Sequence, residues 1–305
     1  MEIELTIILI YLIIIFTIAF LSKVRGQQDT DNKETIIRNE YLAGQSVSSG
    51  ESLFSIIATE VSALTFIGIP AFAFNLDYRF IYLYFGAIVG RSVLAVYYLP
   101  KFYGKQTTIY EKITSEKNSR IFITTVYMIT KLLSIGVRLY SGSILISQYF
   151  NVNIYLAITG LSFLTMCYTM VGGLRAVIRT DLLQTLIFIT GGIAAHFIIP
   201  EIAGQSWSEM ISSGYHSKKI IGLDFSYLQV IAVGFLGGIV FDMATHGVDQ
   251  DFAQRLLATK SLRGAQISIV GSSFLSIFVG LLFLSIGTLL WSYHEVYPIG
   301  PGIKS

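Results

Sequence analysis

Long runs of apolar residues recur along the whole chain, separated by shorter polar stretches. Each run approaches the roughly 20 residues that a helix needs to cross a bilayer. Residues 7–20 are almost unbroken apolar sequence, whereas a strand of a membrane barrel alternates polar and apolar positions. The pattern therefore predicts an all-α integral membrane protein with about eight transmembrane helices, at residues 3–21, 52–74, 80–100, 121–149, 153–171, 182–199, 226–247 and 266–291.

The first apolar run is expected to stay in the mature protein. Its leading residues include Glu2 and Glu4 rather than basic residues, and no small-residue cleavage site follows at 21–23, so it does not resemble a signal peptide. The polar stretch 22–45 is predicted to be a solvated cytoplasmic linker. Residues 1–51 would thus form an accessory helix and its linker.

Composition argues against the soluble classes of protein. Hydrophobic residues make up 53% of the chain and charged residues 13%, against about 25% charged in soluble domains. The net charge of +2 gives no basic face for nucleic acid. The lone Cys167 excludes a disulfide framework and a multi-cysteine metal site. We expect no nucleic-acid partner, no organic cofactor and no enzyme activity.

The basic residues predict an orientation. Of the 21 Lys and Arg residues, 14 fall in the loops after the odd-numbered helices, four in the opposite set and three inside spans. Lys and Arg accumulate in cytoplasmic loops, so the N-terminus is predicted to lie outside and the first basic loop in the cytoplasm.

Two predicted spans contain residues that weaken helices. The second holds Gly68 and Pro70, and the seventh holds Gly234, Gly238 and Asp242. Spans five apart cross the membrane in opposite directions, as in an inverted repeat, and carriers of that kind bind their ligands at broken helices. Glycine and proline are also common in ordinary transmembrane helices, where they permit close packing. The pattern leaves both interpretations open.

Three motifs lie between the predicted helices, and in this order they resemble one family. They are Tyr41-Leu-Ala-Gly44 with Ala58-Thr-Glu-Val-Ser-Ala-Leu-Thr-Phe-Ile-Gly-Ile-Pro70, Tyr168-Thr-Met-Val-Gly-Gly-Leu-Arg-Ala-Val-Ile-Arg-Thr-Asp-Leu-Leu-Gln184, and Asp249-Gln250 with Gln254-Arg-Leu-Leu-Ala-Thr-Lys-Ser261. The chain resembles the sodium:solute symporter family, sodium-coupled carriers of sugars, proline, pantothenate, sialic acid and other small solutes. The resemblance covers essentially the whole chain.

The resemblance implies an accessory first helix followed by ten core helices in a leucine-transporter-like five-plus-five inverted repeat. Residues 52–199 would supply the first repeat, and 226–291 the first two helices of the second. Residues 1–305 would then form a single, incomplete membrane transport domain, because at least three core helices are missing. We therefore expect a C-terminally truncated member of the family.

The resemblance also implies a sodium site. It places two ligating carbonyls at Ala58 and Val61, with the remaining ligands on the eighth core helix. Asp181 matches an aspartate on the sodium exit route of the family. Asp181 lies at the predicted start of the sixth helix, so a capping role for its carboxylate is equally open.

Solute contacts are predicted on two spans. Ser62 and Thr65 match positions that line the family's central cavity, although each hydroxyl can instead bond its own backbone. Asp242 matches a position where sugar carriers have a substrate-binding amide. Tyr84 and Ala87 replace a carboxylate and a hydroxyl of the sugar carriers, which argues against a sugar as the solute.

Four ionisable residues lie well inside predicted spans, where they should face one another, a cavity or water. They are Glu60, Arg91, Lys131 and Arg138. A guanidinium at Arg138 would suit bidentate binding of a carboxylate, and some sialic-acid carriers of the family use an arginine on this helix. The alternative is an internal ion pair of Arg138 with Glu60 or Asp242. His246 has no companion histidines at ligand spacing and is expected to pack or hydrogen-bond.

These features predict sodium-coupled symport of a small polar or anionic solute across the plasma membrane. The expected partners are that solute, Na⁺ as coupling ion and the lipid bilayer. Two alternatives remain, a membrane sensor domain of a signalling protein and a non-transporting truncated remnant. The sequence does not indicate the solute, the sodium stoichiometry or the oligomeric state.

Overall fold

The computed structural model describes residues 2–26, 41–104, 110, 114, 116–217 and 228–298. Apart from one isolated β-bridge between Val47 and Thr259, the regular structure of these residues is helical. The predicted linker at 27–40 and the chain end from 299 lie outside the described residues. The helices are α1 (Glu2–Gly26), α2 (Ser49–Glu60), α3 (Ala63–Asn75), α4 (Ile81–Val93), α5 (Leu99–Phe102), α6 (Lys117–Phe150), α7 (Ile154–Ala203), α8 (Trp207–His216), α9 (Leu228–Val248), α10 (Gln250–Leu257) and α11 (Leu262–Val296).

The membrane spans follow the predicted pattern once the longest helix is counted as two spans. Six described helices are long and apolar enough to cross a membrane, and the bent pair α2 and α3 raises the number to seven. The predicted spans at 153–171 and 182–199 both lie in α7, which has 50 residues. At 1.5 Å per residue, α7 is far longer than the roughly 30 Å of a bilayer core. Its backbone is non-helical at Gly173, with φ 59° and ψ −162°, so α7 comprises two spans joined at this glycine.

The second predicted span is broken, but not where its Gly and Pro residues suggested. The break lies at Val61 and Ser62, whose backbones are extended, and α2 and α3 are bent by 65° across it. Pro70 lies inside the continuous helix α3. The hydroxyl of Thr65 accepts the N–H of Ser62 at 3.3 Å and so helps to start α3 after the break. Of the two interpretations that the pattern left open for this span, the structure supports the broken helix, although Gly68 and Pro70 do not form the break. The break lies beside Ala58 and at Val61, where the family resemblance placed ligating carbonyls.

The seventh predicted span is not interrupted. Helix α9 runs continuously through Gly234, Gly238 and Asp242 and ends at Val248, so for this span the structure supports the other open interpretation, close packing. Its glycines instead permit close packing against α4. A Cβ added to Gly238 would lie 2.3 Å from the carbonyl oxygen of Leu83. Close approach through small residues is a common way for membrane helices to associate.

We expect Gly238→Ala to destabilise the protein by about 1–3 kcal/mol, because the new methyl group would overpack the contact between α4 and α9. Gly237→Ala is a matched control on the same helix, since no atom lies within 4 Å of a Cβ added there. Alanine is also the better helix former. Thermal unfolding in detergent should therefore separate the two variants. Equal melting temperatures would contradict the close packing of α4 on α9.

Helix α11 forms the centre of the described helices. Half of its apolar window is buried, and it packs against α2, α3, α4, α7 and α8. Phe283 and Leu284 of α11 are fully buried against Ile57 of α2 and Ile69 of α3. A second apolar cluster centres on α10, where Phe252 and other buried residues pack against α2, α11 and the segment that follows α4. The two clusters fix the broken helix against α11.

Candidate functional site

A cavity of about 1080 Å³ lies where α2, α3, α4, α6, α9 and α11 meet. Four of the predicted site residues line it, and Ala58, Ser62 and Asp181 are not among its lining residues. Those that line it are Val61, Thr65, Arg138 and Asp242. The side chains of Tyr84 and Ala87 also lie in its wall. The break in the second span is thus at the cavity surface.

The break leaves backbone carbonyls without helical partners. The N–H of Val61 bonds the carbonyl of Ile57 at 2.8 Å, but the next N–H, of Ser62, donates to the hydroxyl of Thr65. Within the described residues, the carbonyl oxygens of Ala58 and Val61 therefore accept no hydrogen bond. Unwound helix carbonyls of this kind coordinate Na⁺ in carriers. The chemistry at the break thus fits a sodium ligand pair.

Arg91 of α4 joins two carboxylates in the wall of the cavity. Its Nη2 lies 2.9 Å from Glu60 Oε1 and 3.0 Å from Asp242 Oδ1, and its Nε lies 2.9 Å from Asp242 Oδ2. Its Nη1 donates to the hydroxyl of Ser272 at 2.6 Å. The Arg91 side chain is 2% exposed. Buried charges persist at such depth only when paired and hydrogen-bonded, and this guanidinium satisfies that condition.

His246 completes this network from α9. Its Nε2 lies 3.1 Å from Glu60 Oε1, and its Nδ1 lies 3.3 Å from Asp242 Oδ1. The other oxygen of Glu60 accepts the hydroxyl of Ser276 at 2.8 Å. The prediction that His246 hydrogen-bonds is confirmed. Within the described part of the chain, no group of three His, Cys, Asp or Glu side chains is arranged to hold a metal ion.

Arg138 does not make the internal ion pair that was one of its two predicted roles. Arg91 forms ion pairs with both Glu60 and Asp242. Arg138 has no hydrogen-bond or ion-pair partner among the described residues. Its side chain is exposed on α6 and lines the cavity. The register of α6 places Arg138 away from the carboxylates, so its charge remains available to a ligand in the cavity.

Lys131, in the wall of the cavity, bridges α6 and α10. Its Nζ lies 2.8 Å from Asp249 Oδ2 and 2.6 Å from Asp251 Oδ2. Tyr127 donates to Asp249 Oδ1 at 3.1 Å. Tyr110 donates to the carbonyl of Val248 at 3.2 Å, and burial and the nearby Asp249 and Asp251 raise the pKa of Tyr110 to about 12. Its hydroxyl therefore stays protonated and remains a donor at neutral pH.

Asp181 lies in a second buried network, outside the cavity. Its Oδ2 accepts the hydroxyl of Ser55 at 2.5 Å and Arg255 Nη2 at 3.2 Å. Arg255 Nε also donates to Ser55 Oγ at 2.8 Å. The predicted capping role is wrong, because the backbone break in α7 is at Gly173 and Asp181 is in the helix interior. Asp181 instead connects α7 to α2 and α10.

Comparison with known proteins identifies the family. The family model of the sodium:solute symporter family matches residues 41–298, which include the break, the cavity and both charge networks. The chain belongs to this family. A sodium/sialic acid symporter of Proteus mirabilis is 25% identical over 254 residues, covering 80% of this chain and 51% of that protein. The sodium/myo-inositol cotransporter 2 of Mus musculus is 29% identical over 299 residues, covering 90% and 43%.

This family member spans about half the length of these curated relatives. A solved structure described as the substrate-bound outward-open state of a Na⁺-coupled sialic acid symporter matches with TM-score 0.86 and 22% identity. The match covers 96% of this chain and 62% of that one. It confirms the predicted all-α fold, and with the apolar helices it identifies a multi-pass membrane protein.

Several polar residues of the family member's networks were not among the predicted site residues, and some of them carry the hydrogen bonds of the charged groups. Ser272 and Ser276 bond the charged groups, and Arg255 pairs with Asp181. Their spacing carried a usable signal. Asp242 and His246 are four residues apart, as are Ser272 and Ser276, so each pair shares one helix face. Polar pairs at this spacing inside an apolar span indicate a polar face directed at another helix.

Proposed function

We propose that this chain belongs to a sodium-coupled symporter that carries a small polar or anionic solute across the plasma membrane. The break between α2 and α3 is the observation that supports it most directly, since the Ala58 and Val61 carbonyls are free of helical bonds beside a cavity of about 1080 Å³. The family match and the named relatives, all sodium-coupled, support the same function.

In this proposal Na⁺ binds the carbonyls of Ala58 and Val61, and Asp181 contacts the ion on its way to the cytoplasm. Sodium binding would favour the conformation that also binds the solute. Coupling requires such a difference in affinity between conformations, because an ion that binds all conformations equally shifts none of them.

The solute would bind through Thr65 and Arg138. Thr65 lies in the cavity wall directly after the break, and Arg138 supplies a positive charge. Ser62 and Asp242 act on the solute site less directly, since the N–H of Ser62 orients Thr65 and the carboxylate of Asp242 holds Arg91. An unpaired guanidinium favours a solute with a carboxylate.

We further infer that residues 52–199 form the first repeat and 226–291 the start of the second. The charge pattern supports an outside N-terminus. On that orientation the bridge from Lys131 to Asp249 and Asp251 lies at the cytoplasmic end of the cavity. Release of the solute inward would require this bridge to open.

We expect purified chain to bind radiolabelled sialic acid more tightly in NaCl than in choline chloride. Arg138→Gln should raise the dissociation constant for sialic acid at least tenfold, because one charge-assisted bidentate contact is lost. Arg138→Lys keeps the charge and should lose less. Scintillation proximity binding measures all three proteins under the same conditions.

Radiolabelled myo-inositol is the neutral probe for the same variants. Any binding of myo-inositol should be insensitive to Arg138→Gln, since this solute has no carboxylate. Sialic acid binding that is equal in sodium and choline would contradict sodium coupling. Binding that Arg138→Gln leaves unchanged would contradict the role of Arg138.

A further inference from the structure

His246 lies between two carboxylates, and each of its ring nitrogens faces an oxygen. Nε2 faces Glu60 Oε1 at 3.1 Å. Nδ1 faces Asp242 Oδ1 and the Asp242 carbonyl oxygen, both at 3.3 Å. The imidazole is 2% exposed, and both of its nitrogens face oxygens of the protein. Both nitrogens must therefore be accounted for by the protein itself.

The hydrogen-bond donors can be counted. A neutral imidazole has one N–H donor, whereas the imidazolium has two. Oxygens accept on both sides of His246, so a neutral ring would direct a lone pair at one of them. The carboxylates are both already acceptors, since Arg91 donates to Glu60 Oε1 and to both oxygens of Asp242. The additional proton is therefore best placed on the ring.

Charge balance leads to the same conclusion. The charged and titratable groups that face His246 are Glu60 from α2, Arg91 from α4 and Asp242 from its own helix. Helix α10 contributes the ring of Phe252, with centroids 4.2 Å apart, while the hydroxyls of Ser272 and Ser276 on α11 bond Arg91 and Glu60. Two carboxylates and one guanidinium leave a net charge of −1 with a neutral ring and zero with imidazolium. An uncompensated charge at this depth is costly.

We propose that His246 is a proton-binding site in the wall of the central cavity. Glu60, Asp242 and His246 all line that cavity, which supplies the path for the proton. In the conformation described here the site is loaded, and its proton neutralises the network. This inference rests on the proposed symport for one point: there the proton would be a second bound cation, at a place separate from the carbonyls at the helix break.

The protonation state of His246 can be measured without any solute. The triple variant His196→Gln, His216→Gln and His294→Gln leaves His246 as the one histidine, and ¹⁵N NMR of this variant in lipid nanodiscs reports both ring nitrogens. At about pH 7.5, where an exposed histidine is mostly neutral, we expect the imidazolium form. A neutral ring in one tautomer would overturn the proposal. If the variant does not fold, the same spectra of the unsubstituted chain contain the His246 signals.

Asp242→Asn tests whether the carboxylates hold the proton. Removing one negative charge leaves Glu60 and Arg91 balanced, so His246 should be neutral at about pH 7.5 in this variant, at least a tenfold loss of proton affinity. Glu209→Gln on α8 removes a carboxylate bonded to Ser206 instead and should leave the spectrum unchanged. An imidazolium that persists in Asp242→Asn would contradict the mechanism. The spectra need neither sodium nor solute, so failure of the symport proposal would not affect them.

Discussion

Arg91→Met is expected to destabilise the protein by about 3–5 kcal/mol, because removing one partner of a buried charge network leaves the other charges uncompensated. Glu60 and Asp242 would remain in the wall of the cavity with only His246 between them. Methionine matches the unbranched part of the arginine side chain as far as Nε, so the substitution mainly removes the charged end of the guanidinium. Chemical unfolding in detergent micelles, followed by far-UV circular dichroism, measures the difference.

Arg138→Met is the matched control for this prediction. It makes the same chemical change at a cavity residue that is exposed on α6, and changes at such sites stay within about 0.5 kcal/mol. The double variant Arg91→Met with Asp242→Leu should recover much of the loss, since it leaves Glu60 opposite His246. A cost for Arg91→Met below about 1 kcal/mol would mean that the network does not hold α4, α9 and α2 together.

The membrane spans could be predicted from sequence because the bilayer imposes a strong constraint. Every span needs about 20 apolar residues with internally bonded backbone, and this leaves a signal in composition alone. Composition left no such signal for the site of the helix break, and only the family resemblance, through the carbonyls it placed at Ala58 and Val61, pointed to this part of the span. Pro70 and Gly68 are weak helix residues but lie inside α3, while Val61 and Ser62 form the break. Both α2 and α3 pack against α11, and such tertiary contacts leave no trace in glycine and proline positions.

For the charged residues, too, one part of the arrangement could be predicted from sequence and another could not. Their depth in the spans predicted that Glu60, Arg91 and Lys131 would need partners. Each of the three has at least one ion-pair partner. Which residues pair was not predictable, because pairing depends on how each helix is rotated against its neighbours. Arg138 and Arg91 were equivalent as guanidiniums in apolar spans. Only the packing of α4 on α9 brings Arg91 to Asp242.

Asp181→Asn tests a second network, in which a structural role and a role with sodium make different predictions. The Asp181 carboxylate pairs with Arg255 at 3.2 Å, with both side chains 10% exposed. Asparagine keeps an acceptor for the hydroxyl of Ser55 but removes the charge. The unpaired Arg255 should then cost about 3 kcal/mol. Arg179→Gln is the control, since its contact to Glu51 is 3.9 Å long and roughly one-third exposed, and such pairs contribute at most about 1 kcal/mol.

Unfolding of Asp181→Asn in choline chloride and in NaCl separates the two roles. Ion pairing with Arg255 acts in both salts, so the loss in choline reports the structural role alone. Sodium stabilises only protein that binds it, by an amount that grows with the sodium concentration relative to the dissociation constant. If Asp181 also contacts the ion, the stabilisation that NaCl gives the unsubstituted chain should shrink in this variant. A variant as stable as the unsubstituted chain in choline would contradict the structural pair, and an undiminished response to NaCl would contradict the contact with sodium.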